Sequence, residues 1–333
     1  MKIAIDAMGG DNAPDAIVAG TVLAARENPA VTLVLVGDEN AIKRCLGQDA
    51  PRNIEVVHTT EVIEAEDEPV RAVRRKKDAS MVVAARMVKE GQADGVVSAG
   101  NTGALMAAGL LVVGRIRDID RPALASVWPT MGGKAMLVLD VGANMDAEAN
   151  HLYQYALMAN VYAKVVLGMP EPRIGLLNVG SEPGKGDKLR KEAYGLLENG
   201  PFRFAGNIEA REALNDRCDV LVADGFTGNN MLKLIEGFGL GLFDQLKRIF
   251  LANTLSKLAA AVLKPGLTAF KKRFDYTEYG GAPLLGIDGA VIKAHGSSND
   301  RAFQMAITQA IRFLDGNVLE QIRTDLTKTT ETV

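Results

Sequence analysis

Short apolar runs rich in β-branched residues recur along the chain: KIAIDA (2–7), TLVLVG (32–37), IEVVH (54–58), GVVSAG (95–100), MLVLDVG (136–142), IGLLNVG (174–180), FRFAGN (202–207), DVLVADG (219–225) and VIKAHG (291–296). Runs of this length and composition read as strands, and the segments between them, such as 105–113 and 152–166, are long enough to cover sheet faces as helices. Strand alternating with helix implies parallel pairing, because a parallel partner is reached only by a crossover connection. The expected fold is therefore α/β, a three-layer α/β/α sandwich with a largely parallel sheet. With 47% hydrophobic residues among 333, the chain has enough apolar side chains for a full core. No repeat, low-complexity stretch or linker divides it, so one domain is expected over 1–333. Residues 244–276 interrupt the βα rhythm and are expected to form a helical protrusion.

Most of these runs end in Gly followed by small polar residues. The turns are Gly9-Gly10-Asp11-Asn12, Gly100-Asn101-Thr102-Gly103, Gly142-Ala143-Asn144, Gly180-Ser181, Gly206-Asn207 and Gly225-Phe226-Thr227-Gly228-Asn229. Open α/β sheets hold ligands outside the carboxyl ends of their strands, where helix N-termini present unpaired N–H groups. Gly and Asn also make tight turns for purely local reasons, and Asp11, Pro14 and Asp15 suit a helix start. Several such turns expected at one end of a sheet point to a ligand crevice.

Other chemistries lack their residues. A formal charge of −3 argues against general nucleic-acid binding. Cys45 and Cys218 are far apart, and His58, His151 and His295 show no H-E-x-x-H spacing, so neither a disulfide framework nor a metal site is expected. AMGGDNAP (7–14) is not G-x-G-x-x-G, and no G-x-S-x-G elbow occurs; no cofactor and no acyl-enzyme are expected. The loop NVGSEPGKGDK (178–188) departs from a Walker A: Val179 stands at the first Gly position and Gly186 at the hydroxyl position. It still offers Lys185, between Gly184 and Gly186, as a point charge toward phosphate. His295 ends a strand, either bonded to backbone or acting as a proton donor or phosphate contact. With no nucleophile advertised, the substrate is expected to bring its own, and inorganic phosphate would need orientation and oxyanion stabilisation more than a strong base. The start, MKIAIDAMGGD, has no apolar leader, and no uninterrupted apolar run reaches the ~18 residues of a membrane span, so a cytoplasmic protein is expected.

Together the blocks IDAMGGDNAP (5–14), DEPVRAVRRKKDASM (67–81), SAGNTGAL (98–105), RPAL (121–124), DVGAN (140–144), LLNVGSE (176–182), GNIEAR (206–211), ADGFTGN (223–229), SKLAAAVLKP (256–265), YGGAPLLG (279–286) and KAHGSS (293–298) resemble the bacterial fatty acyl-[acyl carrier protein]:phosphate acyltransferases of phospholipid synthesis. The resemblance runs almost end to end. It implies reversible transfer of a long-chain acyl group from an acyl-carrier-protein thioester to inorganic phosphate, giving an acyl phosphate that a membrane glycerol-3-phosphate acyltransferase uses. It also implies a homodimer with a fold similar to isocitrate and isopropylmalate dehydrogenases and to phosphotransacetylases. Carried onto this chain, it gives Lys185 a role in binding phosphate and stabilising the oxyanion, and makes Gly100, Asn101, Thr102 and the amide of Gly103 a second phosphate wall. Asn144, Asp224, Asn229 and His295 would position the thioester carbonyl or pass a proton to the leaving thiol. Arg71, Arg74, Arg75, Lys76 and Lys77 form a basic cluster that suits either the carrier protein or solvent. Rival readings are a nicotinamide-dependent dehydrogenase, a short-chain phosphotransacetylase acting on coenzyme A, and a non-enzymatic scaffold for the carrier protein.

The protrusion has its own pattern. From Gln245 to Phe274 the chain carries seven Lys or Arg and no acid. On a helical wheel Leu251, Leu255, Leu258 and Val262 fall within about 60° of one another, with Lys257 and Lys264 opposite. Pro265-Gly266 predicts a break, followed by a second stripe of Leu267, Phe270 and Phe274 beside Lys271, Lys272 and Arg273. Such a basic amphipathic hairpin suits the other subunit, the carrier protein or an anionic membrane surface, the last making the protein peripherally membrane-associated.

Overall fold

Each apolar run becomes a strand because its alternating side chains find a core on both sides. In the first run Ile3 and Ile5 pack with Ile17, Val18 and Phe303 on one face, while Ala4 packs with Met81, Ala84 and Ala85 on the other. The computed structural model describes residues 1–273 and 280–330, with side chains over 1–268 and 280–327.

The described strands are β1 (Lys2–Asp6), β2 (Thr32–Gly37), β3 (Ile54–His58), β4 (Gly95–Ser98), β5 (Ala123–Pro129), β6 (Ala135–Leu139), β7 (Arg173–Asn178), β8 (Arg203–Glu209), β9 (Val220–Val222), β10 (Ala282–Leu285) and β11 (Ala290–Lys293). They form one sheet in the order β3-β2-β1-β4-β11-β10-β5-β6-β9-β7-β8. The helices are α1 (Asp15–Glu27), α2 (Glu39–Leu46), α3 (Pro69–Arg75), α4 (Ser80–Lys89), α5 (Thr102–Ala108), α6 (Ala149–Val165), α7 (Lys188–Glu198), α8 (Gly225–Leu251), α9 (Thr254–Arg273), α10 (Asp300–Asp315) and α11 (Val318–Thr330). Helices cover both faces: α1 and α10 pack over the β1 side opposite α4, and α6, α7 and α11 supply Tyr155, Tyr162, Leu197 and Ile322 to the core beneath β6 and β9.

All nine runs read from the sequence contribute strands. The two strands that reading lacks, β5 and β10, are the ones that break the parallel pattern. Pairing is antiparallel from β11 to β10, from β10 to β5 and from β5 to β6, and parallel everywhere else. The two parallel groups on either side of this middle therefore run in opposite senses. The strand-end turns do not share one edge, as the uniform βα rhythm predicts; they form two sets.

The protrusion also differs from its expected form. Helix α9 runs through Pro265. A proline inside a helix removes the bond to the carbonyl four residues earlier, here that of Ala261 on an exposed turn open to solvent. The chain breaks instead at Ala252-Asn253, where Asn253 Oδ1 accepts the Ser256 amide at 2.9 Å and caps α9. Leu251 consequently ends α8 and does not share a helix with Leu255, Leu258 and Val262. Exposure begins earlier than residue 244, since no described residue of α8 or α9 after Gly228 is buried. Phe274 through Tyr276 lie outside the described residues, as do the side chains of Phe270, Lys271, Lys272 and Arg273. Among the described residues no helix is long and apolar enough to cross a membrane.

Helices α1 and α10 meet across Gly20. A Cβ there would lie 2.5 Å from the Asp300 carbonyl oxygen and 3.0 Å from Phe303 Cβ. Gly20→Ala raises helix propensity by ~1 kcal/mol yet overpacks this contact, which typically costs ~1–3 kcal/mol. We expect a net loss of stability, read as a lower denaturant midpoint; a gain would mean that the two helices slide apart freely.

Candidate active site

A cleft of about 430 Å³ crosses the antiparallel middle of the sheet. Its walls come from both parallel groups. Thr102 and Gly103 open α5 after β4, and Lys293 ends β11, with Ala294 and His295 just after it. Val141 and Gly142 follow β6, while Asn229, Leu232, Lys233 and Glu236 come from α8. Leu124, Ser126 and Val127 of β5 lie between them.

Under the wall formed by β4 and β11 lies a buried polar cluster. Asp6, at the end of β1, accepts from Ser80 Oγ and Ser98 Oγ, each at 2.6 Å, and Ser98 Oγ in turn accepts the Gly100 amide at 3.0 Å. The fit requires glycine at position 9, where a Cβ would lie 2.3 Å from Asp6 Oδ2. Burial pushes the Asp6 carboxyl above the usual carboxylate range, opposed by the two serine hydrogen bonds and by the nearby charge of Lys293. Lys293 is 9% exposed and donates to the carbonyls of Ala99, at 3.3 Å, and Ala294. Burial lowers its pKa to about 8, against the pull of Asp6 and Asp11. Sequence reading missed this residue: a lysine at the end of an apolar strand looks like the point where the chain leaves the core. The signal available was KAHG itself, which puts the lysine at a ligand-facing strand end.

His295 follows at the cleft rim. The Ser297 amide donates to its Nδ1 at 3.2 Å, with Ser297 Oγ 2.8 Å from the same nitrogen. With Nδ1 accepting, the neutral ring carries its proton on Nε2. Burial, then the neighbouring Lys293 cation, depresses the His295 pKa, which favours this neutral form. The first strand-end turn braces the segment from behind: Asp11 donates its amide to Gly296 O at 2.9 Å, and Asn12 Nδ2 reaches Ser297 O and Ser298 O at 3.3 and 3.2 Å.

The opposite wall is fixed by another buried acid. Asp140 Oδ1 accepts the amides of Leu124, Gly142 and Ala143 at 3.1, 3.1 and 2.8 Å, and Oδ2 accepts that of Asn144 at 2.7 Å. Asn144 Nδ2 donates to Pro122 O at 2.6 Å and to Asp140 Oδ2 at 3.1 Å, and Asn144 O receives the Gly225 amide at 2.9 Å. Helix α8 approaches so closely that a Cβ on Gly228 would sit 1.9 Å from Asp140 O. Asp224 caps α8, accepting Thr227 N at 2.9 Å and Thr227 Oγ1 at 2.7 Å, and receives the Arg190 guanidinium. Arg190 also donates to Thr227 Oγ1 at 2.9 Å and to Asp187 at 2.8 Å.

The residues expected from the sequence thus fall into four groups. Thr102, Gly103, Asn229 and His295 line the cleft. Asn144 and Asp224 stand behind the wall and hold it. Gly100 and Asn101 shape the loop before α5: Asn101 Oδ1 caps the Ala104 amide at 3.0 Å and its Nδ2 donates to Ala65 O at 2.9 Å. Lys185 is exposed and does not line the cleft; its loop folds back on itself through Lys185 N to Glu182 O at 3.1 Å and Asn178 Nδ2 to Lys185 O at 3.1 Å. Among the described residues, no group of three or more His, Cys, Asp or Glu is placed to hold a metal ion.

Comparison with known proteins extends the picture. A family model described as "Fatty acid synthesis protein" matches residues 1–321. A phosphate acyltransferase of Brevibacillus brevis is 56% identical over 330 residues, covering 99% of this chain and 98% of that one. A second, from a Geobacillus species, is 56% identical over 323 residues, 97% and 98% of the two chains. Among solved structures, a phosphotransacetylase from Streptococcus pyogenes superposes with a TM-score of 0.63 at 16% identity, covering 95% of this chain and 94% of the other, a likeness of fold.

Arg190 and Asp224 are both largely buried, so removing one charge strands the other. Arg190→Met should cost roughly 3 kcal/mol of unfolding free energy and Thr227→Val about 1 kcal/mol, measured by chemical denaturation. Equal and small losses would mean that Asp224 is served by α8 alone.

Proposed function

The chain belongs to the phosphate acyltransferase family, and from that premise we propose that it moves a long-chain fatty acyl group reversibly from an acyl-carrier-protein thioester to inorganic phosphate, making an acyl phosphate for phospholipid synthesis. It is an acyltransferase. The observation that supports the finer reading is the make-up of the cleft: a buried cation, Lys293, and His295 line it together with apolar Met106, Leu124, Val127 and Leu232. Phosphate and a fatty acyl thioester need these two kinds of surface side by side.

In this reading a phosphate oxygen attacks the thioester carbonyl directly. Charge builds on the carbonyl oxygen, where a preorganised donor contributes on the order of 3 kcal/mol to the barrier. His295 Nε2–H and the amide of Gly103 are such donors, and Asn229 and Thr102 orient the reactants. Collapse expels the thiol, with no acyl-enzyme formed. Lys185 enters this scheme only through movement of its loop toward the cleft. Lys185→Ala leaving phosphorolysis within a few-fold of wild type takes it out of the site.

The exposed arm of α8 and α9 supplies the remaining part of the proposal. Leu255, Leu258 and Val262 are 78%, 64% and 81% exposed, with Lys257 and Lys264 on the same helix. This surface pairs two copies of the chain and touches an anionic membrane, where each cation contributes about 1 kcal/mol. A cytoplasmic protein held there peripherally delivers a labile acyl phosphate to a membrane glycerol-3-phosphate acyltransferase. Leu258→Glu should abolish flotation with anionic vesicles; unchanged flotation with the dimer intact removes the membrane part.

The decisive experiment incubates the protein with long-chain acyl carrier protein, with and without phosphate, and follows free thiol and acyl phosphate. We expect both products in equal amounts and only with phosphate. Thiol release without phosphate makes it a hydrolase, and no release with binding retained makes it a scaffold.

A further inference from the structure

We propose that Lys293 is a catalytic residue: its ammonium gives a proton to the sulfur leaving the thioester and regains one from the hydroxyl of the attacking hydrogenphosphate. The assignment rests on the acyl-transfer reading above. The balance of that reaction calls for such a group. The C–S bond breaks, a C–O bond to phosphate forms, and the proton that hydrogenphosphate carried ends on the thiol. An alkyl thiol titrates at ~8.5, so at neutral pH a proton delivered to the departing sulfur eases its expulsion.

Lys293 meets the geometric requirement. It lines the cleft from the end of β11, nine-tenths buried. An ammonium has three donors, and two of them serve the carbonyls of Ala99 and Ala294. Among the described residues no protein atom takes the third. Nor does a carboxylate trap the charge in a direct ion pair, since the Asp6 oxygens receive Ser80 and Ser98. A buried cation without a paired anion is costly to maintain, which argues against a purely structural lysine. His295 cannot relay the proton in its neutral form, because its one lone pair is held by the Ser297 amide.

The charged surroundings set where the relay titrates. Asp6 from β1 and Asp11 from the turn after it hold the proton on Lys293, burial drives it off, and the balance lies at about 8. Around the same cleft stand His295 on the segment after β11 and the Lys233–Glu236 pair of α8, 2.9 Å apart. Proton loss and gain are thus both accessible near neutrality.

The test compares two thioesters of one fatty acid under saturating phosphate: an N-acetylcysteamine ester, whose thiol needs a proton, and a 4-nitrothiophenol ester, whose thiol leaves as the anion. Lys293→Met should lose roughly 100-fold or more on the alkyl ester, in the range of general acid–base catalysis, and at least about tenfold less than that on the aryl ester. Wild-type turnover of the alkyl ester should fall as pH rises through about 8. Lys293→Arg, which keeps the charge but cannot release a proton, should be slow on that ester and lack this fall. Thermal melts check that both variants fold, and Lys293→Arg carries the test if Lys293→Met does not. Equal losses on both esters, or no loss on either, overturn the proposal. Absence of phosphate-dependent thiol release by the wild type overturns the acyl-transfer reading, and this assignment with it.

Discussion

Asp140 accepts four backbone amides, three from the turn that follows it and one from the neighbouring strand β5. A carboxylate taken out of water must recover its solvation from the protein, and oriented N–H groups do so without a counter-ion. The arrangement converts a glycine-containing turn, otherwise loose, into a fixed surface. It also joins the two senses of the sheet, because β5 belongs to the antiparallel middle and β6 to the outer parallel group. Gly225 and Gly228 then bring α8 against that same turn, so the root of the long helix and the cleft wall share one anchor.

Asp6 repeats the device on the other side with a different result. Its oxygens are met by serine hydroxyls, and the positive charge nearby, Lys293, is left pointing at the cleft. One acid builds a wall, and the other favours the charged form of a lysine whose burial opposes it. The two parallel groups thereby present unlike faces to a single cavity. Polar donors lie toward β4 and β11, and a braced backbone turn beside an amphipathic helix lies opposite.

The alternation of strands and helices was legible because burial on both faces leaves apolar runs that nothing else explains. β5 and β10 escaped for the same reason in reverse. ALASVWP mixes small, polar and aromatic residues and ends in proline, and APLL is short with proline at its second position. Without them the sheet reads as uniform, and its strand-end turns appear to share an edge. Glycine and asparagine in those turns marked the right region without separating contact from support: Asn229 reaches the cleft, whereas Asn101 and Asn144 direct their amides to backbone carbonyls. Composition at a turn is the same for both uses, and only the third dimension distinguishes them. Pro265 misled because its helix-breaking effect assumes that the freed carbonyl has no other partner, a condition that an exposed helix does not meet.

Helix α8 is 27 residues long, about 40 Å at 1.5 Å per residue; its buried residues, Gly225 and Gly228, lie in the first turn, and Met231, Leu232 and Ile235 still pack against the core. A rod held over its first eleven residues transmits displacement unequally along its length. A bend of about 5° after Ile235 carries the far end, about 24 Å on, by about 2 Å and leaves Asn229 in place. The outer arm can shift while the residues at the root of the helix hold register, so what slack it has lies away from the cleft.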